Sequence, residues 1–375
     1  MTTVPSLTRK QVLAHRLRTH GLDGGARTEP ATAVLDLGVQ DTGPDGARWA
    51  LAIRGVDSAD VDDDTHVLLW TLRGAPHLYR RADLPSIAAA VAPFSDTDAG
   101  KRIFDASKPL KAAGIGNLEA LDAVAAAMRE VVVEPMVKGE VSAAVASMMD
   151  EPYLRFCRPC NATHLYEMPF RLAAIRAGLE LQPHTSPPVL QRIPRFKAAK
   201  RPKPEHDVIR GYLHLFGPAT PKQAAEFIDA PVAEVKARWP EDAVPVDVVV
   251  DGQKPDQRWV LADDLVSVRR ADPDDATQVS LLGPFDPYLQ VRDRQLLVPD
   301  SARTKELWPT LGRPGAVLVG PEIAGTWRPR ASGRKLRVVV RMWEDPQQAV
   351  WRRVEEQAER LAAFRGVALA DVSAG

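Results

Sequence analysis

Apolar residues in this chain keep two rhythms, and the change between them divides it. Up to about residue 270 they recur every three or four positions, the period of helices with one buried face. Beyond Arg269 they come in short runs separated by Gly, Pro and Asp, the texture of short strands. The clearest stretch of the first kind predicts a helix over 206–216, stopped by Gly217-Pro218. Thr220 as N-cap and Pro221 at the first helical position open a second over 222–228, and 231–239 gives a third. Val246 to Val250, the turn Asp251-Gly252-Gln253 and Trp259 to Leu261 then predict a hairpin. Three helices and such a wing make a winged helix, a variant of the helix-turn-helix.

The first eighty residues repeat that order. Thr8 caps a helix over 9–20 with Val12, Leu13, Arg16 and Leu17 on neighbouring turns, a Gly-, Ala- and Pro-rich loop covers 21–30, and a short helix spans 32–39. A polar cluster, Gln40-Asp41-Thr42, precedes a Gly-Pro-Asp-Gly turn and a helix over 49–53. Strands over 67–72 and 77–79, joined through Arg73-Gly74-Ala75-Pro76, form the wing. Between the two units lie helical patterns over 84–91, 117–131, 138–148 and 168–177; the second carries Leu118, Leu121, Val124 and Met128 on one stripe. After Arg269, strand-like runs at 278–282, 289–291, 295–298, 316–319, 323–328 and 335–342 predict a small β-barrel or sandwich. A final helix over 347–364 aligns Val350, Val354, Ala358 and Leu361.

Composition narrows the class. At 375 residues the chain is too long for one ordinary core. Lys plus Arg and Asp plus Glu number 49 each, so any nucleic-acid binding must come from segregated charge. Segregation is visible: five acids fall between Asp57 and Asp64, and six bases fall between Arg192 and Lys203 with no acid among them. The basic stretch lies in a proline-containing segment, 185–204, and is expected to be an extended linker. Two cysteines exclude a disulfide scaffold and fit a reducing cytosol. The N-terminal residues carry no apolar signal core, and no stretch approaches the roughly 20 apolar residues that span a bilayer. The expected location is cytoplasmic, with no membrane partner.

Six segments, in this order, resemble the AlkZ/YcaQ family of winged-helix DNA glycosylases. They are LGVQDT, WTLRGAPHLY, CRPCNATH with FRLAAIRAGLEL, YLHLFGPATPKQAAEFI, LLGPFDPYLQVRDR and GRPGAVLVGPEIAGTWRPR. The resemblance spans nearly the whole chain. It implies an α+β fold: three tandem winged-helix (helix-turn-helix) modules, lining a concave channel for double-stranded DNA, then a small C-terminal β-barrel and a terminal helix. The modules map to 1–95, 96–190 and 191–270, and the barrel with its helix to 271–375. It also implies removal of alkylated purines, in some members from crosslinks, by a monomer that uses no cofactor, placed on the nucleoid. The family's catalytic signature, Gln-x-Gln or Gln-x-Asp, falls on Gln40 and Thr42. Gln40 matches, whereas Thr42 matches neither form of the second position.

The residues carry two readings each. An N3- or N7-alkylated purine is already cationic and leaves without an acid, so a carboxamide that orients water at C1′ suffices. Asp41 and Asp45 are nearby carboxylates, Asp41 expected to point the other way. The competing reading makes Thr42 the cap of the helix over 49–53, with Asp45 three residues on in a capping-box-like pair. Arg73 and His77 reach phosphates or the cleft if the wing is functional; otherwise His77 is a local hydrogen-bonding residue. Arg195, Lys197, Lys200 and Arg201 would track the DNA backbone, or form a solvated linker. Arg292 and Arg294, beside Pro287-Tyr288, would enter a groove on a barrel hairpin. Cys157-x2-Cys160-x3-His164 holds ligand types at tight spacing, but tetrahedral zinc wants four ligands, which favours buried cysteines beside a capping His. A non-catalytic DNA-binding protein or transcriptional regulator is the alternative to a glycosylase.

Overall fold

A computed structural model of the chain describes residues 4–24, 32–43, 45–159, 161–250, 252–272, 274 and 278–375. Pro44, Cys160, Asp251 and most of the loop expected over 21–30 lie outside these. The chain begins with β1 (Ser6–Thr8) and α1 (Arg9–Thr19). Thr8 caps α1 as expected: its hydroxyl accepts from the Gln11 N–H while the Gln11 side chain accepts from the Thr8 N–H. The helix expected over 32–39 is instead a single 3-10 turn, Ala33–Asp36, which runs into β2 (Val39–Gln40). There follow α2 (Gly46–Ala52), the hairpin β3 (His66–Trp70) and β4 (Pro76–Arg80), and α3 (Leu84–Val91).

The next stretch holds α4 (Asp96–Arg102), α5 (Ser107–Ala112), α6 (Asn117–Val131), β5 (Met136–Val137) and α7 (Lys138–Ala146). A small hairpin, β6 (Leu154–Cys157) and β7 (Ala162–Leu165), leads to α8 (Glu167–Arg176), β8 (Leu179–Leu181) and β9 (Val189–Arg192). Leu121, Val124 and Met128 of α6 are buried, the stripe its spacing predicts. The hairpin of β3 and β4 is no free wing. It lies inside a six-stranded sheet ordered β2-β4-β3-β8-β9-β5, to which both halves of residues 39–192 contribute strands.

A second unit runs through α9 (Val208–Phe216), α10 (Pro221–Ile228), α11 (Val232–Lys236), β10 (Ala243–Val249), β11 (Asp256–Leu261) and α12 (Ala262–Arg270). Thr220 and Gln223 form a reciprocal cap on α10 with Pro221 at its start. The N-terminus returns to this unit: β1 pairs in parallel with β10, and α1 packs against α9 and α12.

The C-terminal part contains β12 (Val279–Leu282), α13 (Arg294–Leu297), α14 (Ser301–Leu307), β13 (Gly315–Val319), β14 (Glu322–Ser332), β15 (Lys335–Met342), α15 (Gln348–Phe364) and β16 (Ala368–Ala374). Its strands form one sheet in the order β12-β13-β14-β15-β16, and there is no closed barrel among the described residues. The reason lies in α15, which carries the chain back so that β16 joins β15 in parallel, at the edge away from β12. Leu336, Val338 and Val340 alternate along β15 and bury against Val354, Ala358 and Leu361 of α15. Two runs expected as strands are helical: residues 289–291 overlap a 3-10 turn, Pro287–Gln290, and 295–298 overlap α13. No helix is long and apolar enough to cross a membrane among the described residues.

Candidate active site

Gly38 sets the entry to the polar cluster. Its φ of 83° suits glycine, and a Cβ there would fall 2.3 Å from the Tyr79 ring. The chain then pairs with the hairpin, Val39 opposite Leu78 and Gln40 opposite His77, and the Asp41 N–H donates to the Pro76 carbonyl at 2.9 Å. The Asp41 carboxylate accepts from the Ala47 N–H at 2.9 Å. Asp41 therefore satisfies the first turn of α2, and the expected Thr42 and Asp45 cap does not form. Thr42 faces Gln40 instead: Gln40 Nε2 donates to Thr42 Oγ1 at 3.0 Å. The Gln40 carbonyl oxygen accepts no hydrogen bond from a described residue. Among the described residues, one acceptor thus remains unused on the carboxamide.

Helix α2 is locked to the C-terminal sheet behind this pair. Trp49 Nε1 donates to the Leu281 carbonyl at 2.8 Å, and its ring joins Trp327, Val317 and Leu281 in one core. Arg54 and Asp286 form a fully buried fork, with both contacts at 2.8 Å. Between α2 and the sheet opens a cleft of about 290 Å³, with Thr42, Asp45 and Trp49 on one wall and Pro284, Arg313, Trp327, Arg328, Arg330 and Arg365 on the other. That volume is at the lower end of the range of about 300–1,000 Å³ common for ligand sites. Four arginines face one carboxylate there, so the cleft favours an anion. One Asp45 oxygen accepts from Arg365 at 2.8 and 3.1 Å; the other is buried and meets no donor among the described residues.

A family model described as DNA glycosylase AlkZ-like matches residues 34–364. The chain belongs to the AlkZ-like DNA glycosylases. DNA glycosylase AlkZ from Streptomyces sahachiroi shares the fold, with a TM-score of 0.72 over 99% of this chain and 100% of that one at 19% identity. No curated protein matches the chain. Membership sets DNA as the substrate and base excision as the class of reaction.

In this AlkZ-like chain the residues expected to meet DNA divide sharply. His77 lies inside the protein: it is 3% exposed, and its Nδ1 lies 3.0 Å from both Thr71 Oγ1 and the Ala75 carbonyl. Burial, and then the nearby Arg73, lower its pKa to about 3, so the ring is neutral. Arg73 turns inward, with its φ at 57°. Its guanidinium donates to the Phe227 carbonyl, lies 3.5 Å from Gln290 Oε1 and sits 5.0 Å from the Phe227 ring centroid. It ties the hairpin turn to α10. Arg195, Lys197, Lys200 and Arg201 are exposed, and no carboxylate among the described residues pairs with them. Their segment is not loose, because Ala199 donates to the Pro85 carbonyl and Lys203 to Ser86 Oγ, fastening it along α3. Arg292 follows a 3-10 turn and Arg294 opens α13, so neither lies on a barrel hairpin.

The sequence reading missed Arg313, Arg328, Arg330 and Arg365 of the glycosylase cleft. The signal for the first three was present in GRPGAVLVGPEIAGTWRPR, where Arg313 precedes β13 and Arg328 and Arg330 lie within β14; Arg365 lies outside it. Of the suspected metal set, Cys157 and His164 lie on the two strands of one hairpin, where Arg155 is the register partner of His164.

Proposed function

We propose that the protein is a monofunctional DNA glycosylase that hydrolyses the N-glycosidic bond of alkylated purines in double-stranded DNA, acting as a monomer. The observation that carries this is Gln40, whose side-chain amide donates to Thr42 on the wall of an arginine-lined cleft and whose side-chain oxygen takes no bond from a described residue. A cationic purine leaves as a neutral base, so the protein has to place a water and stabilise a positive sugar. The Gln40 side-chain oxygen accepts from that water and turns its lone pair towards C1′; as the C1′–O bond forms and the C1′–N bond breaks, the proton shed by the water passes to solvent in the open cleft. Asp45, held by Arg365, supplies a fixed negative charge close to the developing cation. No lysine lines the cleft among the described residues, which argues against a Schiff-base route. The same chemistry serves a purine tethered in a crosslink, because the cleft opens to solvent.

The test is incubation with duplex DNA carrying N7-methylguanine, followed by alkali to reveal abasic sites. Wild type should excise, Gln40→Ala should slow excision by roughly 10²–10⁴ while binding persists, and Thr42→Gln should preserve or raise the rate. A wild type inert on every alkylated purine tried sinks the proposal. One observation favours a second reading, a DNA-binding protein without chemistry: Thr42 has neither the reach of Gln nor the charge of Asp. Tight binding to a palindrome as a dimer would establish that reading.

A further inference from the structure

We infer that Arg292, Arg294 and Arg313, backed by Arg73 and Gln290, form a built pocket for one phosphodiester of the DNA backbone beside the cleft. The inference rests on the reading of this face as the one that meets DNA. Three donors in this group are buried without an acceptor: Arg292 Nε, Arg313 Nε and Gln290 Nε2. Buried donors in folded proteins are nearly always matched, so three neighbours left open describe a missing ligand. The adjacent carboxylate cannot be that partner. Asp293 already takes both ends of Arg16, at 2.8 and 3.0 Å, and a further bond from Arg258.

The guanidinium planes are set in advance. Arg294 lies over Trp308 at 5.1 Å, Arg313 over Phe285 at 4.9 Å and Arg73 over Phe227 at 5.0 Å. Stacking occupies the face of each group and leaves its N–H edge for in-plane bonds, the geometry in which arginine grips phosphate oxygens. The groups also feel one another. Burial, then Arg292, brings Arg73 down to about 9, and burial, then Arg313 and Arg292, brings Arg294 down to about 10. Burial lowers Arg292 as well, and Arg313 is lowered by burial and then by Arg292. All remain cations at neutral pH, in mutual repulsion that Asp229 and Glu226 oppose by charge without bonding to them and that a bound anion would relieve further. Because Arg313 also lines the cleft with Thr42 and Asp45, a phosphate held here lies next to the nucleotide being read.

Two measurements test this, melting and duplex binding, on wild type, Arg292→Gln, Arg294→Gln and the double variant. In chloride buffer the variants should melt no lower than wild type, since repulsion is relieved. Inorganic phosphate at matched ionic strength should raise the wild-type melting temperature more than that of the double variant. On undamaged duplex the double variant should lose about 0.9 from the slope of log affinity against log salt. Arg294→Lys, which keeps charge, should retain that slope. An unchanged slope overturns the inference, and a phosphate-dependent melting shift beside it would assign the pocket to free anions. Variants that melt lower in chloride would make the arginines structural and overturn it too. Since the duplex is undamaged, the expected weakening of binding in a protein that excises nothing would sink the glycosylase reading and leave this pocket standing.

Discussion

Asp41 and Thr42 are adjacent and chemically similar as helix caps, yet they have different tasks. Asp41 holds the Ala47 N–H, whereas Thr42 takes the Gln40 amide. Asp41→Ala should therefore cost about 0.5–2 kcal/mol of stability, the usual value of a cap removed, and Thr42→Ala should leave melting unchanged. Thermal melts of the two variants decide; a shift on Thr42→Ala alone would reverse the assignment. Histidines set a second residue-scale outcome. Burial lowers His15 to about 4 and His77 to about 3, and also lowers His20, from an ordinary 6.5. Below about pH 6.5 the unfolded chain binds protons that these folded rings refuse. The stability they contribute is thus whole above 6.5 and drains as pH falls towards their folded values, by up to about 1.4 kcal/mol per unit per ring. His214, raised by its bond to Asp264, acts in the opposite sense but is partly exposed and weaker. Urea unfolding at pH 7.5 and 5.0 should show clear acid destabilisation, and equal stability would mean that water reaches the rings in the native state.

Among the elements, the segment that fastens along α3 offers the plainest test of DNA contact. Neutralising Arg195, Lys197, Lys200 and Arg201 together should flatten the salt dependence of duplex affinity, by up to about 0.9 for each phosphate that the segment no longer neutralises. An unchanged slope would take this segment off the binding face. Its neighbours were legible from sequence to very different degrees. The helices over 84–91 and 117–131 match their expected bounds, because an apolar stripe defines a helix without outside help, with Pro85 opening the first and Glu119 holding the Gly116 N–H at the start of the second. β16 and the hairpin β6–β7 went unread: their side chains are mostly half-exposed, so no sharp alternation marks them. Residues 289–291 and 295–298 were misread because a short apolar run fits a strand or a buried helical turn equally. In the candidate site, Gln40 and Thr42 were named through the family resemblance. Their surroundings were not legible, since His77 beside Gln40, Arg365 on Asp45 and Arg313 in the cleft arrive from elsewhere in the chain.

For the whole molecule, the expected barrel shows where sequence reading stops. Strand runs announce a sheet, but closure depends on which edges meet, and α15 sends the last strand to the wrong edge for closing. Likewise the hairpin expected as a wing became the centre of a sheet shared with strands more than a hundred residues later. The parallel pairing of β1 with β10 is of the same kind and has a consequence in time. Leu7, fully buried, meets Val248 only across a separation of about 240 residues. On a ribosome adding about 5–20 residues each second, β1 and the apolar face of α1 wait roughly 10–50 s for their partners. Throughout that interval the nascent chain displays an unpaired strand and a helix whose α9 and α12 partners are still unmade.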